Sequence, residues 1–237
     1  MQNKRKTILI NIVSAIATLL CVFLFLFSIC FLTFNLSYVK TRVRGYSMLP
    51  TINQNVKSPN VDGDIVYINT REPLKQNTIV VADVDWWKAG SIIKRLAALP
   101  GDCVQIEDTG NTYELKVNGK LVYSKQKYDD ANNLNLSVRN YYQRKYLAFI
   151  NNTTTFDGNN INHSANIGEF DGKPCIVLND DEYFLVGDNW SDAMVDCMTF
   201  GPVKKADIVG TVDWIIDAKS NKVFEVCKII VQILFKV

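Results

Sequence analysis

The sequence predicts a mainly β domain preceded by one N-terminal membrane-spanning helix. Two observations carry that reading. No charged residue occurs from Thr7 to Val39, and the dense apolar part, Ile8 to Phe34, makes a helix about 40 Å long at roughly 1.5 Å per residue. That exceeds the roughly 20 residues needed to cross a bilayer core, with room for tilt. Downstream, short β-branched and aromatic runs are punctuated by turn residues, a pattern that favours a sheet-rich domain over βαβ units. The 237 residues suffice for one such helix and one domain of about 200 residues.

The apolar segment reads as a retained anchor. A cleavable signal peptide has a core of roughly 7–15 residues followed by small residues. Here the core is far longer, and Leu36-Ser37-Tyr38-Val39 offers no such site. Lys4, Arg5 and Lys6 precede the helix and Lys40, Arg42 and Arg44 follow it. Positive charge is thus nearly balanced across it, with a slight lean from the free amino terminus toward an N-terminus inside.

The organisation expected is a short cytoplasmic stretch over residues 1–6, a transmembrane helix over 7–39 and an outer domain over 40–221. Asp62-Gly63-Asp64 opens a strand at Ile65–Ile68, and Thr78–Ala82 and Ser91–Leu99 read as further strands, the last ended by Pro100-Gly101-Asp102. Tyr113–Val117 and Lys120–Tyr123 flank Asn118-Gly119, the pair preferred in a tight type I′ hairpin turn. Later strands are expected at Pro174–Leu178, Glu182–Val186 and Ile208–Ile216. Residues 104–178 form an inserted or peripheral β region, including an Asn-rich loop within Tyr128–Phe170. The apolar C-terminal segment, residues 222–237, is too short to span a bilayer comfortably and suits a helix lying on the membrane or packing on the domain.

Composition excludes several functions. A net charge of +2 gives no footprint for nucleic acid. Six cysteines without a C-x-x-C pair and a single histidine, His163, do not make a zinc site, and no metal or cofactor is expected. Cys21 and Cys30 fall in the apolar segment. Cys103, Cys175 and Cys197 offer a disulfide if the domain lies outside the cell, with the pairing open.

One stretch invites chemistry: Gly45-Tyr46-Ser47-Met48-Leu49-Pro50-Thr51. A lone serine between Gly and Pro is usually a turn residue, and a nucleophile needs a base. The lone histidine lies in the polar Asn-Ile-Asn-His-Ser segment, where a surface role is the plain reading. The remaining option is a lysine kept neutral by burial. Lys94 is the candidate, because strand alternation puts it on one face with Ile92 and Leu96, with Ile93 and Arg95 on the other, although an edge-strand lysine is the commoner explanation of such a pattern. A third stretch, Gly187-Asp188-Asn189 through Asp196-Cys197, follows the apolar run Tyr183–Val186.

Taken in order, Ser-Met-x-Pro-Thr, Lys-Arg-x-x-x-Leu-Pro-Gly-Asp, Gly-Asp-Asn and Gly-x-Val resemble the type I signal peptidase (leader peptidase) family between Arg44 and Val203. The resemblance implies a signal-peptidase-like β-rich catalytic domain on the outer face of the plasma membrane. Ser47 matches the nucleophile and Lys94 the general base of a Ser-Lys dyad. Gly187, Asp188, Asn189 and Asp196 match the loop supporting it, and Gly45 stands where some relatives carry an oxyanion-directed hydroxyl. Met48, Ile52, Ile92 and Ile93 become candidate linings of shallow substrate pockets. The implied partners are membrane lipid and secretory preproteins with small residues at −1 and −3, and the implied activity is signal peptide removal.

The sequence departs from the family in the third stretch. Trp190 replaces an arginine, Asp196-Cys197-Met198 replaces Asp-Ser-Arg, and Ala193 or Met194 replaces a lysine-orienting serine, so that Asp188 and Asp196 are expected to lack basic partners. Ser191 supplies that hydroxyl only in a rearranged loop. The altered loop also motivates an alternative, a non-catalytic assembly or binding partner in surface-protein export. A self-cleaving repressor-type peptidase uses a similar pair but is soluble and carries a DNA-binding module.

Overall fold

The structure, a computed structural model, describes residues 2–87, 90–126, 146–151, 155–158, 161–190, 195–220 and 229. The chain divides into two compact units, Met1–Val39 and Lys40–Val237. The first is essentially one helix, α1 (Gln2–Ser37). Its stretch Lys6–Ser37 is long and apolar enough to cross a membrane. Several of its polar side chains turn back on the helix's own carbonyls: Thr18 Oγ1 donates to Ser14 O (2.9 Å), Ser28 Oγ to Leu24 O (2.8 Å) and Asn35 Nδ2 to Phe31 O (2.8 Å). Such bonds satisfy groups that lipid cannot.

The second unit is mainly β. Its strands are β1 (Tyr38–Arg42, beginning at the boundary), β2 (Ile65–Asn69), β3 (Ile79–Ala82), β4 (Ile92–Ala98), β5 (Cys103–Asp108), β6 (Thr112–Val117), β7 (Lys120–Gln126), β8 (Thr155–Gly158), β9 (Ile161–Ser164), β10 (Asn166–Phe170), β11 (Lys173–Val177), β12 (Glu182–Val186), β13 (Val203–Lys204) and β14 (Ile208–Ile216). A seven-stranded sheet runs β1-β2-β14-β3-β4-β12-β13, a five-stranded sheet β10-β11-β5-β6-β7, and β8 pairs with β9. The Asn118-Gly119 turn joins β6 to β7 with φ of 49° and 73°, the left-handed pair a type I′ turn requires.

Two apolar cores position the site. The larger holds Val80, Ala82, Ile92 and Leu96 with β5, β6 and β12. The smaller holds Val66, Ile68, Ile79 and Val81 with Val43, Met48 and Ile52, and Ile93 packs against it. Alternation along β3 and β4 divides their side chains between the two. Met48 and Ile52, at 2% and 1% exposure, pin the serine turn to the sheet, each contributing about 1.5–3 kcal/mol by burial.

Cys103 and Cys175 form a disulfide with Cα atoms 5.7 Å apart, and Cys197 is buried and outside it. The bond staples the shortest junction of the five-stranded sheet, where β11 meets β5 only at Ile176–Val104 and Val177–Cys103. Most of the Asn-rich segment and of the C-terminal segment lies outside the described residues.

Candidate active site

Register brings the three sequence stretches together. β12 pairs antiparallel with β4, Leu185 opposite Leu96 and Val186 opposite Arg95. The next residues are Gly187, Asp188 and Asn189, so this pairing delivers their loop to the segment of β4 that carries Lys94 and Arg95. On the other side of β4, Val80 of β3 lies opposite Lys94. The serine turn covers the junction.

Lys94 is 4% exposed. Its Nζ donates to Ser47 Oγ at 2.9 Å and to Ile93 O at 2.8 Å. A buried amine within hydrogen-bond reach of a hydroxyl is the geometry a general base needs toward a nucleophile. Asn189 holds the serine's backbone: its N–H donates to Ser47 O (3.0 Å) and its Nδ2 to Tyr46 O (3.1 Å). Gly45 has φ of 87°, a conformation that favours glycine, and its N–H donates to Pro59 O (3.0 Å).

The expectation that Asp188 lacks a basic partner is corrected here. Arg95 Nε donates to Asp188 Oδ1 (2.7 Å) and Nη2 to Asp188 Oδ2 (2.6 Å), a forked pair. Those hydrogen bonds raise the guanidinium's pKa above its ordinary value, against the opposing effect of burial. The partner comes from β4 instead of the loop, because the β4–β12 register sets Arg95 directly under Val186. Thr51 Oγ1 also donates to Asp188 Oδ2 (2.5 Å). Successive residues of β4 therefore reach the two ends of one turn, Lys94 the serine and Arg95, through Asp188, the threonine.

Trp190 takes a different part from the arginine it replaces. At 1% exposure, it stacks on Tyr123 of β7 with ring centroids 4.4 Å apart, and Tyr123 Oη donates to Asp188 O (3.0 Å). The five-stranded sheet thereby braces the loop. Asp196 is fully buried. Its Oδ1 accepts the Met198 N–H (3.1 Å), capping the short helix Cys197–Phe200, and its Oδ2 accepts the Gly187 N–H (3.2 Å) at the start of the loop. Ser191, Ala193 and Met194 lie outside the described residues.

Of the four candidate pocket residues, Met48 and Ile52 sit in the smaller core, Ile92 in the larger, and Ile93 is half-buried. His163 stands on β9, which pairs with β8 apart from the sheet that carries Lys94. Among the described residues, no cluster of three or more His, Cys, Asp or Glu suited to a metal occurs. Sequence reasoning missed Tyr123 and the partnership of Arg95. The Lys-Arg dipeptide was the available signal for the second, since a strand next to an acidic loop can present one cation to each face.

A family model described as signal peptidase, peptidase S26, matches residues 9–216. A solved signal peptidase I from Enterococcus faecalis V583 is 19% identical, with a TM-score of 0.34, covering 59% of this chain and 97% of that one. No curated protein matches.

Proposed function

We propose a function from one established premise: the chain belongs to the signal peptidase S26 family. It is a membrane-anchored serine endopeptidase that removes N-terminal signal peptides from secreted preproteins. The observation that carries this reading is the 2.9 Å hydrogen bond from Lys94 Nζ to Ser47 Oγ, made by a lysine only 4% exposed. Burial disfavours the ammonium form, so a neutral amine is available as base.

Neutral Lys94 takes the Ser47 proton as Oγ attacks the scissile carbonyl. The Ser47 N–H donates to the resulting oxyanion, a contact of a kind that generally stabilises the transition state by roughly 3–4 kcal/mol. Protonated Lys94 then gives its proton to the leaving amine, and the peptide's acyl half remains esterified to Ser47. Water, deprotonated by the same amine, cleaves the ester and restores the enzyme. Asp188, Asn189 and Asp196 keep the loop and serine turn in register throughout.

An extended substrate adds along β4. In support, the pairing of β12 with β4 runs from Ala98 to Arg95, so among the described residues it stops short of Ile92 and Ile93 on that side of β4. The preprotein's small residues at −1 and −3 meet shallow pockets drawn from Met48, Ile52, Ile92 and Ile93, of which Ile93 is the least buried. The N-terminus is cytoplasmic and the catalytic domain lies on the outer face of the plasma membrane. The Cys103–Cys175 disulfide supports that side, since disulfides persist in oxidising compartments.

The test is cleavage of a preprotein by the detergent-solubilised chain beside Ser47→Ala and Lys94→Ala. Wild type cleaves and both variants do not. Equal cleavage by either variant, or none by wild type, sinks the dyad.

A further inference from the structure

The serine turn has a second anchor besides the Gly187–Asn189 loop. Asn53 is 1% exposed and adopts φ of 64°, a left-handed conformation that asparagine tolerates better than most residues. Its Nδ2 donates to Gly45 O (2.9 Å) and Val43 O (3.3 Å), on the chain entering the turn. Its Oδ1 accepts the Asp64 N–H (2.8 Å), and its own N–H donates to Asp64 Oδ2 (2.7 Å). Asp64 is 5% exposed, and its Oδ1 accepts the Ala218 N–H (2.9 Å) just past β14. The Val43 N–H donates to Asp64 O and the Gly63 N–H to Val43 O, both at 2.9 Å. A Cβ at Gly63 would overlap Asn53 Oδ1, so glycine is what lets the two segments approach.

Three successive carbonyls around the serine are therefore held. Asn53 Nδ2 takes that of Gly45, Asn189 Nδ2 that of Tyr46 and the Asn189 N–H that of Ser47. In a planar trans peptide the N–H points opposite to the carbonyl. Holding the Tyr46 carbonyl on Asn189 thus turns the Ser47 N–H away from that loop, where no acceptor among the described residues takes it. Holding the Gly45 carbonyl fixes the peptide plane before it.

We propose that Asn53 and Asp64 are a positioning pair for the nucleophile. They set the backbone planes from Gly45 to Ser47, and with them the direction of the Ser47 hydroxyl and of its oxyanion-facing N–H. The proposal rests on the reading of Ser47 as nucleophile.

Asn53→Gly tests it, because glycine keeps the left-handed backbone while deleting the amide. Asp64→Asn is the conservative companion. Both are prepared as full chains in detergent, and two readouts are taken. In amide hydrogen exchange, Asn53→Gly speeds exchange over residues 43–49 and leaves β4 and β12 at wild-type rates, with Asp64→Asn intermediate. In preprotein cleavage, kcat per folded molecule falls about 10- to 100-fold, the scale of a small misplacement. KM stays within about twofold and the pH profile keeps its position.

Unchanged exchange over 43–49, or faster exchange everywhere, overturns the proposal. So does wild-type kcat with exchange raised. If wild-type protein itself fails to cleave, the nucleophile reading falls, and the exchange data alone accept or reject the clamp.

Discussion

The two larger sheets of the β-rich unit are held together by different physics. Among the described residues, the buried polar and charged side chains are Asn53, Asp64, Lys94, Gln105, Glu182, Asp196 and Thr211. Only Gln105 belongs to the five-stranded sheet. That sheet is apolar inside, keeps its Glu107–Lys116–Lys173 ion pairs near the surface and is stapled by Cys103–Cys175. Buried polar groups cost stability unless hydrogen-bonded, and four of these seven, Asn53, Asp64, Lys94 and Asp196, belong to the hydrogen-bond network that holds Ser47 and the Gly187–Asn189 loop in fixed directions. Apolar packing and a covalent link suffice for a brace. Directional bonds are needed for a site.

Substitutions break this contrast in a definite order. The largest effect is expected at the dyad, where Ser47→Ala or Lys94→Ala lowers preprotein cleavage by on the order of 1,000-fold or more, with the melting temperature close to wild type. Next comes the Arg95–Asp188 fork. Arg95→Ala leaves a largely buried carboxylate with Thr51 alone as side-chain donor, and is expected to cost about 1–3 kcal/mol in denaturant unfolding and about tenfold or more in kcat. Arg95→Lys recovers only part of both, because an ammonium cannot make the fork.

The brace is expected to respond in the opposite sense. Cys103→Ser with Cys175→Ser frees a loop of 72 residues' separation, which in the chain-entropy picture destabilises by about 4 kcal/mol. Melting falls markedly, while kcat per folded molecule changes by less than about threefold. A large kcat loss without a drop in melting temperature would erase the distinction between brace and site.

The smallest effect concerns Glu107. Hydrogen bonds from Lys116 and then Lys173 hold its carboxyl below the usual carboxylate range. Its contribution to stability is therefore present above the ordinary glutamate pKa and is lost as pH falls through the lowered one. Glu107→Gln flattens that acid limb of a stability–pH curve slightly and leaves cleavage unchanged.

Much of the fold was legible because its signals are local. β-branched runs marked β2, β3, β4, β11, β12 and β14, and Asn118-Gly119 marked the β6–β7 hairpin. β5 went unmarked because Cys103-Val-Gln-Ile-Glu-Asp mixes apolar and acidic residues, and its strand character comes from pairing with β6 and β11. Ser47 and Lys94 were each weak candidates by residue type and alternation, the ordered motifs' resemblance to the family singled them out as a pair, and they are hydrogen-bonded in the structure. The Arg95–Asp188 pair did not, since its partners are far apart in sequence and meet only through the β4–β12 register. Asp64 read as part of an ordinary turn and Asn53 carried no signal of its own, and only burial and hydrogen bonding reveal them as a joint.

The central claim is that Lys94 serves Ser47 as a neutral amine, and the pH dependence of preprotein cleavage tests it most directly. kcat/KM should rise as the Lys94 ammonium loses its proton and fall away on the acid side, where the amine is charged and cannot accept the serine proton. A profile that is flat from acid to alkaline pH would contradict lysine as the base.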